Sequence, residues 1–317
     1  MITYLAGRVV QALAVVALLS IVTFLLMHLL PGGPAHAMLE KDATAVQITD
    51  FNHEMGLDQP LWTQYWIWVR NLAQGNLGFS PRLNQPVRDA IGAALPKTVL
   101  LMSISTTLAV VISILLGTFQ ATRRNSVADH LLTATMFTLF ATPSFFLALV
   151  AILVFAVYLH LLPPVAPQGE TVPAILSQPL ALVLPVLTLA VIPIAVLSRY
   201  ARSSVLDNMA ENYVRTARAK GLSERQILWG HVLRNSMLPM ATLLGLGLPR
   251  VLGGALIVEQ VFNYPGMGLL AWRATLSRDY PILLVIVLIV GIATVVGNLL
   301  ADLTYAVLDP RIRYVKE

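Results

Sequence analysis

Cysteine is absent from all 317 residues, so disulfides, thiolate-held metals and cysteine redox chemistry are excluded, and loops must be ordered by packing alone. Charge is scarce. Asp, Glu, Lys and Arg make up 12% of the chain against 57% hydrophobic residues, where a soluble domain carries roughly 25% charged. No G-x-x-x-x-G-K-[ST] stretch occurs, which removes the P-loop route to nucleotide binding; any ATP-driven work must come from another subunit. HExxH and G-x-S-x-G are missing as well, arguing against an intramembrane metalloprotease or a nucleophile-elbow hydrolase. The six histidines, His28, His36, His53, His130, His160 and His231, are scattered and form no defensible metal set.

What the chain does have is apolar length. Runs of about 20 residues cross a hydrocarbon core of about 30 Å, and six are expected: Val9 to Leu30, Thr98 to Phe119, Leu131 to His160, Leu180 to Leu197, Met237 to Val261 and Ile282 to Val307. The first is longer than a signal peptide's apolar region and lacks a small-x-small cleavage site before Pro31, so it reads as a retained anchor. An even count places both termini on one side. Thirteen of the 21 Lys and Arg fall on the segments that share a side with the N-terminus, and Leu161 to Pro179 has none. By the positive-inside rule both termini are expected to be cytoplasmic. The net charge of +5 reflects that bias; no basic, aromatic-rich soluble module suggests nucleic acid.

Between the first two expected spans, the stretch Gly56 to Gly78 places Leu61, Tyr65, Trp68 and Leu72 at helical spacing, with Trp62 and Trp66 nearby. An amphipathic helix at headgroup level accounts for this pattern, and such a helix can also serve an extracellular partner as a platform. Within the spans, Ala109, Ser113 and Gly117, and Ala293, Gly297 and Ala301, repeat small residues every four positions, a pattern that brings helices close. Pro143, Pro185, Pro193 and Pro249 are candidate bends.

Glu211 to Pro239 is the long polar exception. Asp207 or Asn208 can cap a helix through Tyr213 and Ala217 to Lys220, Gly221 suits the position after its end, and Ser223 opens a second helix through Ile227 and Val232. A solvated face or an anionic-lipid anchor would explain its arginines without a partner. Thr216 to Gly221, TARAKG, followed by His231 to Pro239, HVLRNSMLP, resembles the cytoplasmic coupling loop of binding-protein-dependent ABC importer permeases of the dipeptide, oligopeptide and nickel branch. Arg215, Thr216 and Ala217 stand where the general family has Glu-Ala-Ala, and Leu238-Pro239 comes later than in the generic loop. Further landmarks of that branch's first permease are similar in order and position: His28 to Gly32, Gly56 to Pro60, Tyr264 to Gly268, Arg278 to Pro281 and Asp309 to Arg311.

The resemblance implies an all-α membrane protein with the MetI-like, type I ABC importer permease fold and six transmembrane helices. It implies an anchor helix at 1–30, an extracytoplasmic segment at 31–96, a permease core at 97–308 with the coupling loop at 199–238, and a cytoplasmic tail at 309–317. The implied partners are a second permease subunit, two cytoplasmic ATPases that hold ATP and Mg, and an extracytoplasmic substrate-binding protein, all at a bacterial cell membrane. No cofactor is expected on this chain, and it is expected not to be an enzyme. Arg215, Thr216, Ala217, Arg218, Ala219, Lys220 and Gly221 would form the ATPase-coupling segment. The expected cargo is di- and oligopeptides, with nickel or a nickel chelate as the alternative.

Arg250, about 18 Å along its span from Leu238 at 1.5 Å per residue, is a costly intramembrane charge that points to a translocation path or to an interhelical or intersubunit pair. A secondary transporter would need buried midplane acids, and the spans offer only Glu259 and Asp302, both near an end.

Overall fold

A computed structural model describes residues 2–29, 39, 44–54, 56–237 and 256–308. A long first helix, α1 (Ile2–His28), leads to α2 (Ala45–Glu54) and α3 (Leu61–Ala73). A two-residue hairpin then pairs β1 (Phe79–Ser80) antiparallel with β2 (Gln85–Pro86). From it rises α4 (Val87–Thr122), followed by α5 (Val127–Ala141) and α6 (Ser144–Ala151), which continues as a π-helical stretch, Ile152–Tyr158. A short α7 (Val172–Leu176) precedes α8 (Pro179–Met209), and α9 (Asn212–Ala219) and α10 (Glu224–Ile227) form the polar insert. The chain closes with α11 (Met267–Ser277) and α12 (Tyr280–Leu308).

The parallel pair α4 and α8, in register from Leu101 beside Leu184 to Ala121 beside Val205, is the spine. Ala109, Ser113 and Gly117 are buried in it, as the four-residue spacing predicts, and a Cβ on Gly117 would stand 2.5 Å from Ala201 Cβ and 2.6 Å from the Ser198 carbonyl. Such close approach gains dispersion contacts that bulkier side chains would block. In the last helix Gly297 is buried, and Gly291 stands close against Leu19 of α1.

Gly7–His28, α4, α8 and Tyr280–Leu299 are long and apolar enough to cross a membrane. The expected third span, Leu131 to His160, is not one straight helix. Its two halves, α5 and Ser144–Tyr158, meet at 109°. The cause is local: proline disfavours the helical region for the residue before it, and Thr142, preceding Pro143, sits at φ −86, ψ 130. Pro185 and Pro193, by contrast, lie inside an unbroken α8. The second expected span also starts earlier than its apolar run, at Val87, because Val87, Ala90, Ile91 and Ala94 bury against α11 and α12. Most of Met237 to Val261, and with it Pro249 and Arg250, lies outside the described residues.

The aromatic segment is helical as its spacing predicts, with one difference in facing. Tyr65 and Trp68 turn toward α1, where Tyr65 Oη meets Ser20 Oγ at 2.8 Å and both rings pack on Phe24. Leu61, Trp62 and Trp66 are exposed, and Gln64 is the buried residue, held by His28 Nε2 at 2.8 Å. A polar side chain at the helix interface is satisfied there by a ring nitrogen and two carbonyls.

Candidate functional site

The polar insert forms a compact mount at one end of the spine. Asp207 and Asn208 do not cap the insert helix, because α8 runs through them to Met209 and apolar burial at Val205 keeps that turn helical. A two-residue break, Ala210 and Glu211, separates it from α9, whose capping residue is Glu211. Asn208 acts instead as a strut, accepting a hydrogen bond from Tyr213 Oη at 3.0 Å and donating to the Ser204 carbonyl.

The far end of α9 closes as the sequence predicts. Gly221 adopts φ +80, its N–H bonds the Arg218 carbonyl, and the Leu222 N–H bonds the Ala217 carbonyl. These two bonds are a Schellman closure, which satisfies carbonyls that a helix end would otherwise leave open. Ser223 then starts α10 with a reciprocal capping box to Gln226.

Beneath α9 lies a dry cluster of Ala121, Val205, Val214, Ala217, Ile227 and Val232, all buried. Full burial of Val214, Ile227 and Val232 stabilises this seat by roughly 5 kcal/mol as an upper figure. The return segment is bolted down too: Ser204 Oγ donates to the Ser236 carbonyl at 3.0 Å and Ser236 Oγ to the Ser204 carbonyl at 3.2 Å. Through these contacts α9 is packed directly against the ends of α4 and α8.

Among the seven residues singled out from the sequence, Ala217 faces the cluster, while Arg215, Thr216, Ala219, Lys220 and Gly221 are exposed. Arg218 is exposed but committed within the insert. Its guanidinium grips Glu224 through two bonds, of 2.6 and 3.0 Å, and holds the Glu224 carboxyl below its usual range. The lowered value means the pair is intact above the ordinary glutamate range and is lost only as pH falls through Glu224's depressed value. Arg215 and Lys220 therefore carry the charge that α9 presents outward.

Next to the mount, Arg202 makes a bidentate pair with Asp129, at 2.9 and 2.7 Å, and Asp129 is 1% exposed. Asn125 N–H also bonds Asp129, so the carboxylate ties the start of α5 to α8. The sequence marks Arg202 only as an inner-side cation; no local spacing reveals a partner 73 positions away.

A second polar constellation lies at the opposite end. Glu259, fully buried, accepts Thr98 Oγ1–H at 2.6 Å and the N–H groups of Gly268 and Leu269 at 2.6 and 3.2 Å, while Met267 N–H bonds Thr98 Oγ1. This carboxylate caps the start of α11, where open N–H groups and the helix dipole favour negative charge. Sequence reasoning saw Glu259 only as an acid near a span end. The signal was its place seven residues before the Gly266-Met267-Gly268 turn.

The family described as binding-protein-dependent transport system inner membrane component matches residues 109–314, and the N-terminal family of the same transport system membrane components matches residues 1–102. The chain is 38% identical over 316 residues to the oligopeptide transport system permease protein AppB of Bacillus subtilis (strain 168), an alignment covering 99% of this chain and 100% of that relative. It is 35% identical over 314 residues to the glutathione transport system permease protein GsiC of Escherichia coli (strain K12), again over 99% and 100% of the two chains.

Proposed function

Since this chain belongs to the family of binding-protein-dependent transport system inner membrane components, we propose that it is the membrane-spanning permease subunit of an ATP-driven importer of di- and oligopeptides. The peptide assignment rests on full-length similarity to oligopeptide and glutathione permeases. The single observation that carries the mechanism is the rigid seating of α9. An ATPase that grips the exposed face around Arg215, Thr216, Ala219 and Lys220 pushes on a helix whose other face is packed into the ends of α4 and α8. Closure of two ATPases on nucleotide then becomes movement of the spans.

In this reading α9 faces the cytoplasm, both termini lie on that side, and six spans cross a bacterial inner membrane. A second, homologous permease completes the pore. Nucleotide and its metal sit on the ATPases, so this subunit has no catalytic residues and holds no cofactor. An external binding protein delivers the peptide. Arg250 is assigned to the translocation path, where it meets a passing carboxylate.

The test is uptake of labelled di- and oligopeptides, with labelled nickel in parallel, in cells lacking this chain. Peptide uptake falls and the intact chain restores it, if the proposal holds. Loss of nickel uptake alone would transfer the cargo to metal, and no change in either would remove the transport assignment.

A further inference from the structure

At the end of the spine away from α9, the start of α4, the hairpin turn, α11 and the first turn of α12 enclose a partly open pocket of about 180 Å³. Lys97 and Ala121, on the same helix, are about 36 Å apart at 1.5 Å per residue, more than a bilayer core of about 30 Å. The pocket therefore faces the side opposite the coupling mount.

Its walls are largely apolar, but Lys97 lines it at 5% exposure. Among the described residues the Lys97 amine has no ion pair and no hydrogen bond. The stem of Lys97 is covered while its amine keeps access to the open pocket, and a cation at the edge of a largely apolar wall suits an incoming anion. Among the described residues the neighbouring acids are partly engaged or exposed, and Asp279, which also lines the pocket, keeps one oxygen open. Glu259 spends its oxygens on Thr98 and α11, Asp279 accepts the Ser80 hydroxyl, and exposed Glu170 acts on Lys97 only through space. Arg273 adds a second cation to the lining, tethered to Asn263 Oδ1 at 3.0 Å, and Arg82 is exposed on the hairpin turn beside the lining residue Leu83.

Volume limits the size of an anion that the pocket admits. About 180 Å³ is close to the roughly 150 Å³ that holds one benzene and well below the roughly 300–1,000 Å³ of sites for whole small molecules. We infer that this pocket is a socket for one acidic side chain of the extracytoplasmic protein that delivers substrate, with the carboxylate meeting Lys97 and the rim cations Arg273 and Arg82 steering its approach. The inference rests on the importer reading above. Asp279 Oδ1, buried and without a partner, is left to accept a donor from the same incoming segment.

The experiment uses the assembled importer in lipid nanodiscs and reads the binding-protein concentration that half-saturates ATPase stimulation. Lys97→Gln raises that concentration about tenfold or more, the effect of truncating one partner of a desolvated charge pair, and Lys97→Arg recovers most of it. Ala93→Phe fills the pocket from an exposed lining position, leaves Lys97 intact and raises the same concentration; it decides the matter where Lys97→Gln fails to assemble. Unchanged half-saturation in Ala93→Phe and in any assembled Lys97→Gln complex overturns the socket. A change confined to the peptide concentration dependence, at saturating binding protein, overturns it in favour of the substrate's own carboxylate. Binding protein that fails to stimulate even the unaltered complex removes the importer reading and this inference together.

Discussion

Gly221 has open space where a Cβ would point and a φ of +80, so a substitution there is opposed by backbone strain alone. Gly221→Val should cost about 1–2 kcal/mol, a factor of roughly 5 to 30 in the population of the closed turn. Gly221→Asn, which tolerates the left-handed region, should cost less. The check is peptide uptake alongside the amount of ATPase recovered with the purified permease: valine lowers uptake, asparagine largely retains it, and equal behaviour of the two would contradict the strain argument. Gly221 was legible because its need is local. Arg218 was legible only as a cation; its capture by Glu224 depends on how two short helices fold against each other. Glu259 was the residue most underread, since a carboxylate that caps a helix across a turn looks in sequence like any acid at a span end.

Among the elements, α8 carries the polar insert, and its registration with α5 depends on Asp129 and Arg202. Arg202 stays partly exposed, so solvent screens what Asp129→Asn leaves uncompensated, and the loss should be on the order of 1–2 kcal/mol. Arg202→Lys should cost less, since it keeps the charge and loses only the two-pronged geometry. Thermal unfolding in detergent measures both; a midpoint unchanged in Asp129→Asn would show the pair to be ornamental. Helix periodicity was readable in α3, α9 and α10 because caps and apolar spacing are near neighbours. The facing of α3 was not, since Gln64 is buried by virtue of His28 on another helix. Pro143 marks the break at Thr142, but the proline rule alone does not set its angle of 109°. α4 begins ten residues before the expected core boundary at 97 because its first turns bury against α11 and α12, contacts separated from it by more than 170 positions.

At the scale of the molecule, composition alone placed the chain in a membrane, and the ordered landmarks pointed to the family that the comparisons then showed. The polarity of the structure follows from the spine: a seated, outward-charged helix at one end and a cation-lined pocket at the other, joined by α4 and α8. Among the described residues, α4 and α8 connect α9 to the far end, and on the proposed reading α9 is the point of contact with an ATPase. The absence of cysteine makes that contact directly measurable. Ala219, exposed on α9, is replaced by cysteine as the only thiol of this subunit, labelled with a photoactivatable crosslinker and illuminated in an assembled importer that still transports peptide. The account predicts an adduct with the ATPase subunit from position 219 and none from a Trp66→Cys control on α3. Adduct from neither position in a transporting complex, or adduct from Trp66→Cys alone, would contradict it.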